Sequence, residues 1–315
     1  MELIKNWAEE DAQAYGKKVM IVEHILNDTG LFTDEALAEM LDNQPNHLID
    51  FQYVVNEPNY PDRQVTVDFS GADGATMIAA TKSDLPIWIN VREVMNRQPK
   101  YKKILDQLHV ELEKYTGRNN DRSNCRGGIL LSSKTARTPY HADPTMTHLW
   151  HIRGHKKAWV YPKTPEFIPD EAYESIILGE IDEDMPWTPE LDKGAIVAPA
   201  DLHGGELVLW PIRSPHRVEN VTFCVSMVME FSTKASAFTN AGMFYNGVMR
   251  RKYGKNPSWH DASAPEKLVK AVVGRAMRKT AGRKAFRRKD MVRYKLVQDA
   301  KDFVQAVATP YERVH

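Results

Sequence analysis

The sequence contains only two cysteines, Cys125 and Cys224, among 315 residues. They are not in a CxxC arrangement, so they predict neither a disulfide framework nor a cysteine zinc site, and they fit a reducing compartment. No run of about 18 apolar residues occurs, so no membrane span is expected. The first ten residues include acidic ones where a secretory signal needs an apolar core. These absences together predict an intracellular, cytoplasmic protein.

The charge is balanced over the whole chain but not locally. Lysine and arginine number 42, as do aspartate and glutamate, yet residues 250–301 hold 17 basic residues against 4 acidic ones. We therefore predict a basic helical C-terminal region, residues 236–315, joined to an acidic body, residues 1–235.

Three interpretations of the basic region are open. The favoured one is a set of helices packed on the acidic body or on a second subunit. The others are a surface for an anionic partner such as nucleic acid, and a membrane-surface contact. No aromatic ladder or zinc finger accompanies the charge, so nucleic-acid binding is not favoured.

The N-terminal third combines helical and strand patterns, and we interpret it as scaffold. Thr33 before Asp34 and Glu35 is typical of a helix N-cap. Helices are predicted at 32–41, 76–82 and 101–115, and strands at 18–26, 48–55 and 65–69.

Short strands separated by Gly, Pro and Asn dominate the region that follows. They are predicted at 128–133, 147–152, 158–161, 194–197, 207–210 and 221–231. This pattern is typical of a double-stranded β-helix, the jelly-roll or cupin barrel. A short helix is predicted at 171–178, and further helices at 235–252, 264–280 and 283–307. The fold class expected is mostly β, a barrel with N-terminal α/β additions and C-terminal helices.

Three side chains have the composition of a metal centre. His141 and Asp143 stand at i and i+2, which places them on one face of an extended strand. His216 follows a strand-and-proline pattern some seventy residues later. Two imidazoles and one carboxylate form the facial triad of non-haem Fe(II) oxygenases. The alternative for the first pair is a hydrogen-bonded histidine beside a turn-forming aspartate.

A lysine and a threonine accompany this set. Lys156 begins an apolar strand after Gly154, and a lysine pointing into a barrel requires an anionic partner. The distal carboxylate of 2-oxoglutarate would supply one, and the hydroxyl of Thr138 could donate to the same group.

Together these residues resemble the JmjC-type, cupin-like Fe(II)/2-oxoglutarate-dependent oxygenases, in particular the branch of the asparaginyl hydroxylase that modifies hypoxia-inducible factor. The resemblance covers residues 85–235. It implies that His141, Asp143 and His216 bind iron and that Lys156 and Thr138 hold 2-oxoglutarate. The elements that match the family pattern are Thr138, His141, Asp143, Gly154, Lys156, Pro162, Pro211 or Pro215, and His216.

The chain departs from the family pattern in two places. Where members often carry an asparagine near the cosubstrate, this chain has Thr147, whose hydroxyl can still form a hydrogen bond. On the last barrel strand, where asparagine or serine is common, Ser226 and Glu230 are the candidates, and a carboxylate there would repel the cosubstrate. Lys157 would replace Lys156 if the strand register shifted by one residue.

Further histidines crowd the same segment. His148 and His151 are three residues apart, so on a strand they face opposite sides and do not favour a second metal site. With His155, they are interpreted as hydrogen-bonding surface residues.

The sequence therefore predicts an iron- and 2-oxoglutarate-dependent hydroxylase of an amino-acid side chain in a protein, a peptide or a small metabolite. A cupin enzyme that binds metal without 2-oxoglutarate, and a non-catalytic barrel with a basic interaction tail, are the alternatives. Substrate choice is assigned to the segments 165–187 and 119–126. In the resembling family, C-terminal helices often form a homodimer interface.

Overall fold

The computed structural model describes residues 1–57, 60–117, 122–181, 184–280, 286, 289–298 and 303–313. Its strands are β1 Ile4–Lys5, β2 Met20–His24, β3 Ile49–Glu57, β4 Tyr60–Asp68, β5 Ile87–Val91, β6 Ser123–Ser132, β7 Arg137–His141, β8 Met146–Arg153, β9 Lys156–Val160, β10 Val197–Leu202, β11 Glu206–Leu209, β12 His216–Asn220, β13 Cys224–Ser232, β14 Met291–Leu296 and β15 Val304–Glu312. Its helices are α1 Glu9–Ala14, α2 Asp34–Asp42, α3 Gly74–Lys82, α4 Val94–Arg97, α5 Pro99–Thr116, α6 Asp170–Leu178, α7 Lys234–Tyr253 and α8 Ala264–Thr280. Within the described residues, none of the helices combines the length and apolar character needed to cross a bilayer.

Eight consecutive strands, β6 to β13, form a jelly-roll barrel. The small sheet has the order β10-β9-β12-β7, and its counterpart within the large sheet has the order β11-β8-β13-β6. Pairing between neighbours is antiparallel throughout both sets. Eight strands divided in this way between two facing sheets define the jelly roll. The predicted fold class is confirmed.

The N-terminal segments extend the large sheet on both sides of the barrel. Strands β1 and β2 continue it beyond β11, and β5, β3 and β4 continue it beyond β6. Helices α2, α3 and α5 bury apolar side chains against the outer face of this sheet. Thr33 caps α2 by accepting a hydrogen bond from the Ala36 N–H at 3.2 Å. The predicted N-terminal helices and strands are all present, and they form the scaffold that backs the barrel.

The barrel strands follow the predicted ranges with one shift and two omissions. Strand β10 begins only at Val197, because the preceding residues Pro189–Gly194 form a 3₁₀ turn. The predicted ranges omitted β7 and β12, which are short and mixed in polarity. These two omitted strands carry the histidines of the candidate metal centre.

The predicted helix at 283–307 is wrong for the residues that the structure describes. Residues 291–296 and 304–312 are strands, and β14 pairs in parallel with β4, while 283–285, 287–288 and 299–302 lie outside the described residues. Exposed Arg293 and Lys295 alternate with the buried Val292 and Leu296. That alternation has the period of a strand. The helix was predicted because the many basic residues of the segment resemble the solvent-exposed face of a helix.

Part of the basic region packs against the segment 165–187, which contributes Glu174 and Glu180. Arg250 Nε lies 2.8 Å from Glu174 Oε2, and Arg251 Nη2 lies 3.0 Å from Glu180 Oε2. Because the Glu174 side chain is fully buried, these ion pairs hold α7 against α6 and are not exposed surface pairs. The contacts support the favoured interpretation of the basic region, and the division at residue 235 stays a prediction.

Acid destabilisation should depend strongly on His148, which is buried between α1 and the large sheet. Burial, with smaller contributions from Arg122 and His109, lowers the pKa of His148 from 6.5 to about 3. The unfolded chain then binds more protons between those two values, so stability is lost as pH falls from 6.5. We expect His148→Phe to remove about 2 kcal/mol of the loss in unfolding free energy between pH 6.5 and pH 5. Urea unfolding at both pH values measures it, and the exposed-site control His260→Gln should leave the loss unchanged.

Candidate active site

His141 and His216 are direct neighbours across the small sheet. They are register partners in the pairing of β7 with β12, and their ring centroids lie 4.0 Å apart. His141 is the last residue of β7 and His216 is the first residue of β12. The turn-proline pattern before His216 therefore delivers it beside His141, although the two are far apart in the chain.

Asp143 completes the group from the segment that follows β7. Its Oδ1 lies 3.7 Å from His141 Nε2, and its Oδ2 lies 3.6 Å from His216 Nε2. One ligand atom from each of the three residues lies within 4.8 Å of the others. Two ligands about 2.1 Å from one ion lie roughly 3.0–3.6 Å apart in octahedral or tetrahedral geometry. The structure thus brings together all three residues that the sequence singled out.

The hydrogen bonds around these side chains leave the metal-binding atoms free. His141 Nδ1 faces the Pro139 carbonyl at 2.8 Å, and His216 Nδ1 faces the Ser214 carbonyl at 3.1 Å. A backbone carbonyl can only accept, so each Nδ1 carries the proton and each Nε2 presents a lone pair. Burial, and secondarily His141, lowers the pKa of His216 to about 3, which keeps that ring in the neutral form that binds metals.

Asp143 has an unused oxygen. Its Oδ2 is buried and has no hydrogen-bond partner among the described residues. Burying a polar oxygen is costly unless a partner satisfies it. A cation between the carboxylate and the two Nε2 atoms would satisfy it. The residues present therefore fit a divalent transition metal.

Lys156 lies inside the barrel and spans the space between the two sheets. Its Nζ donates a hydrogen bond at 2.7 Å to Ser226 Oγ on β13, in the opposite sheet. The side chain is almost fully buried, and burial lowers the pKa of its ammonium. Among the described residues, no carboxylate lies within ion-pair distance of it. The register is the predicted one, since Lys156 rather than Lys157 crosses the interior.

The two threonines occupy different positions around the interior. Thr138 is the register partner of Val218, whose side chain belongs to the apolar cluster inside the barrel. Directly opposed residues share a face of the sheet, so Thr138 is placed on the interior side. Thr147 lies on β8 opposite Glu230, and its buried hydroxyl has no hydrogen-bond partner. Both hydroxyls are thus placed where a ligand of the barrel could use them.

Glu230 faces the metal centre rather than away from it. Burial, followed by the nearby Asp143 carboxylate, raises the pKa of Glu230. Arg126 balances part of this charge, since its Nη2 lies 3.1 Å from Glu230 Oε2. The Arg126 guanidinium on β6 therefore offsets part of the repulsion between Glu230 and Asp143.

The expectation that His148 and His151 lie on the surface is wrong. Both are fully buried, because β8 lies in the middle of the large sheet and is covered on both faces. His148 contacts Tyr15 on the outer side. His151 faces the barrel, where its Nδ1 lies 3.2 Å from Ser226 Oγ. Their opposite orientation is the one that strand geometry predicts.

Two residues near the site were missed. Trp210 packs against His216, with ring centroids 4.2 Å apart. Asn220 is the register partner of Lys156, and its buried Oδ1 has no hydrogen-bond partner. The alternation of His216, Val218 and Asn220 along β12 could have identified Asn220 as an interior residue.

Gly154 shapes the turn that presents Lys156. Its φ is +98°, and a Cβ at this position would lie 2.3 Å from the Phe223 carbonyl oxygen. We expect Gly154→Ala to lower the unfolding free energy by about 2 kcal/mol or more. Chemical denaturation measures the loss, and Gly71→Ala, whose φ is +86° in open space, serves as the control for backbone strain alone. Equal losses in the two variants would contradict the close contact.

No protein-family model and no curated protein match the sequence. The X-ray structure of Escherichia coli YcfD is similar, with 13% identity over 90% of this chain and 70% of that chain and a TM-score of 0.48. The structure of the Escherichia coli ribosomal oxygenase YcfD in complex with cobalt and 2-oxoglutarate has 12% identity over 89% and 68%, with a TM-score of 0.48.

Proposed function

We propose that the chain is an Fe(II)- and 2-oxoglutarate-dependent oxygenase of the JmjC-like, cupin type that hydroxylates an amino-acid side chain in a protein, a peptide or a small metabolite. The observation that carries the proposal is a pairing inside one barrel. A converged His141–Asp143–His216 group lies at the His216 end of β12. A buried ammonium, that of Lys156, lies at the far end of the neighbouring strand, and no carboxylate of the described residues pairs with it.

The chain's own residues divide the work between them. The triad holds Fe(II), with the two carbonyl-bound imidazoles fixed in orientation. Lys156, positioned by Ser226, binds the distal carboxylate of 2-oxoglutarate. Thr138 and Thr147 offer hydroxyl donors to the cosubstrate. When bound, iron and 2-oxoglutarate together supply the oxidising chemistry.

Two alternatives are less consistent with these side chains. A cupin enzyme that binds metal without 2-oxoglutarate would have no use for a buried ammonium such as that of Lys156, which no carboxylate of the described residues neutralises and which is costly to keep. A non-catalytic scaffold would have no need for three convergent ligands and an unsatisfied Asp143 oxygen. The buried lysine argues against the first, and the triad argues against the second.

Parts of the two predicted substrate segments lie next to the metal centre. Asp184 forms a bridge with His141, and the Met185 N–H donates to the Tyr140 carbonyl at 2.8 Å. From the other segment, Arg126 reaches Glu230; residues 119–121 and 182–183 lie outside the described residues. These placements support the proposal that both segments line the entry for substrate.

Two further expectations remain predictions. One is that the chain belongs to the asparaginyl-hydroxylase branch, and the other is that its C-terminal helices form a homodimer.

Succinate formation across a panel of peptides and free amino acids tests the function. The full chain, supplied with Fe(II), 2-oxoglutarate and oxygen, should form succinate in proportion to a product heavier by one oxygen atom, measured by mass spectrometry. Decarboxylation without substrate should be slow but dependent on added iron.

The matched control is the Asp143→Ala variant under identical conditions. It should form no succinate above the level of free Fe(II). If the wild-type chain forms product without consuming 2-oxoglutarate, the alternative cupin chemistry is correct and the proposal is wrong.

A further inference from the structure

A second group of metal-binding side chains lies on the outside of the barrel. His155, Asp201 and His203 each offer one ligand atom, and these atoms lie within 4.8 Å of one another. Within the part of the chain that the structure describes, this is the other such group besides the triad. His155 Nε2 lies 2.6 Å from Asp201 Oδ1, and the imidazoles of His155 and His203 stack at 4.3 Å with planes 21° apart.

Both histidines stand on rigid turns. The His155 N–H donates to Thr222 Oγ1 at 2.8 Å, and the His155 carbonyl accepts from the Val221 N–H at 2.8 Å. The His203 N–H donates to Glu206 Oε1 at 3.0 Å, which fixes the start of the turn between β10 and β11. Because the backbone is already held, little ordering is required for the side chains to bind an ion.

The donor set and its spacing suit a borderline divalent ion. Imidazole with carboxylate is a common environment for Zn²⁺, Ni²⁺ and Cu²⁺. Tetrahedral ligands about 2.0–2.1 Å from such an ion lie about 3.3 Å apart. The contact between His155 and Asp201 is a hydrogen bond of 2.6 Å, and the two imidazoles are stacked. Because a metal ion lies in the plane of each imidazole that binds it, the ion would replace the shared proton after the exposed carboxylate turns and the exposed His203 ring rotates out of the stack.

This group is separate from the candidate active site. His155 directly precedes β9, whereas Val160 at the other end of that strand is the register partner of His216. The first and last residues of β9, Lys156 and Val160, are four residue steps apart, roughly 13 Å. The hydrogen bond from His155, with smaller contributions from the charges of Lys157 and His203, lowers the pKa of Asp201.

We propose that His155, Asp201 and His203 form a second, surface metal site that takes Zn²⁺ or a similar divalent transition metal and joins the β8–β9 turn to the β10–β11 turn. The remaining coordination positions are open to water, since Asp201 and His203 are exposed. The ion holds the turn from which Lys156 enters the barrel, so its effect is on the stability of that end of the barrel.

Equilibrium dialysis of the tag-free full chain against Zn²⁺, with metal analysis, tests the proposal. Wild type should bind two equivalents, and an Asp143→Ala/His216→Ala variant should keep one. Adding His155→Gln and His203→Gln to that variant should weaken the remaining site at least tenfold. The matched control adds His47→Gln and His260→Gln, which remove two exposed histidines elsewhere and should leave one equivalent bound.

Thermal unfolding gives a second readout in the same background. Zn²⁺ at a hundredfold excess over the wild-type dissociation constant should raise the Tm by about 4 °C, and the His155→Gln/His203→Gln change should lower that rise to about 2 °C or less. A remaining equivalent whose affinity is unchanged in the His155→Gln/His203→Gln variant overturns the proposal, as does a triad variant that binds no zinc. Loss of binding at the triad alone would count against the active site and leave this second site supported.

Discussion

Replacing Asp143 with asparagine should lower 2-oxoglutarate-dependent turnover by about a thousandfold or more. The variant keeps the size of the side chain but removes the charge that joins two neutral imidazoles in holding a dication. A bound metal contributes several kcal/mol of transition-state stabilisation, and each 1.36 kcal/mol is a factor of ten in rate. Initial rates of succinate formation at saturating iron measure the loss.

The fold should not suffer from this change. Among the described residues, Asp143 Oδ2 is buried without a hydrogen-bond partner. In the metal-free protein the carboxylate therefore lowers the free energy of unfolding, and the Tm of the variant should equal or exceed that of the wild type. Asp106→Asn, which alters an exposed carboxylate paired with Lys102 on α5, should change neither rate nor Tm measurably. A variant at position 143 that keeps a tenth of the activity would show that this carboxylate is not a ligand.

Replacing Lys156 with methionine should stabilise the protein and weaken 2-oxoglutarate binding at the same time. Methionine has a similar volume but no charge, whereas the buried ammonium of Lys156 has no carboxylate partner among the described residues. We therefore expect the unfolding free energy to rise on the order of 1–3 kcal/mol. Truncating one partner of a buried charge pair costs about 2–5 kcal/mol, so the KM for 2-oxoglutarate should rise roughly 30-fold or more.

The opposite signs of the two effects make the test specific to a binding role. A lysine kept for structure would lose stability on substitution, and its effect on KM would follow from damage to the fold. Lys157→Met, one residue further along β9, is the matched control and should leave KM within a factor of two. Lower stability of the position-156 variant with an unchanged KM would remove the basis for assigning 2-oxoglutarate to this barrel.

More of the site than of its surroundings could be predicted, because the types and the sequence spacing of its residues indicate metal binding. His141, Asp143 and His216 were assigned from a tripeptide and a distant turn, and the register of β7 with β12 brings them together. Lys156 was assigned to the interior from its place at the head of an apolar strand after a glycine turn, with Lys157 as the alternative if the register shifted by one residue. Strand alternation could also have identified Asn220 as an interior residue, but it did not show which face of β8 would be exposed.

The features that could not be predicted depend on contacts between residues that are distant in the sequence. His148 and His151 were interpreted as surface residues because nothing in the local sequence shows that β8 is covered on both faces. The strand β14 is held by pairing with β4, more than two hundred residues away, which a local pattern of basic residues cannot reveal. His155 and His203 are separated by most of two strands and a long insert, so only the folded chain shows that they stack.

Anaerobic titration of the full chain with Fe(II) and 2-oxoglutarate tests the central claim most directly. We predict an absorption band in the green that requires both additions, saturates at one equivalent of each, and is absent from the Asp143→Asn variant. The Lys156→Met variant should need a higher 2-oxoglutarate concentration to reach the same band. A wild-type spectrum that does not change when 2-oxoglutarate is added to the iron-loaded protein would contradict the account.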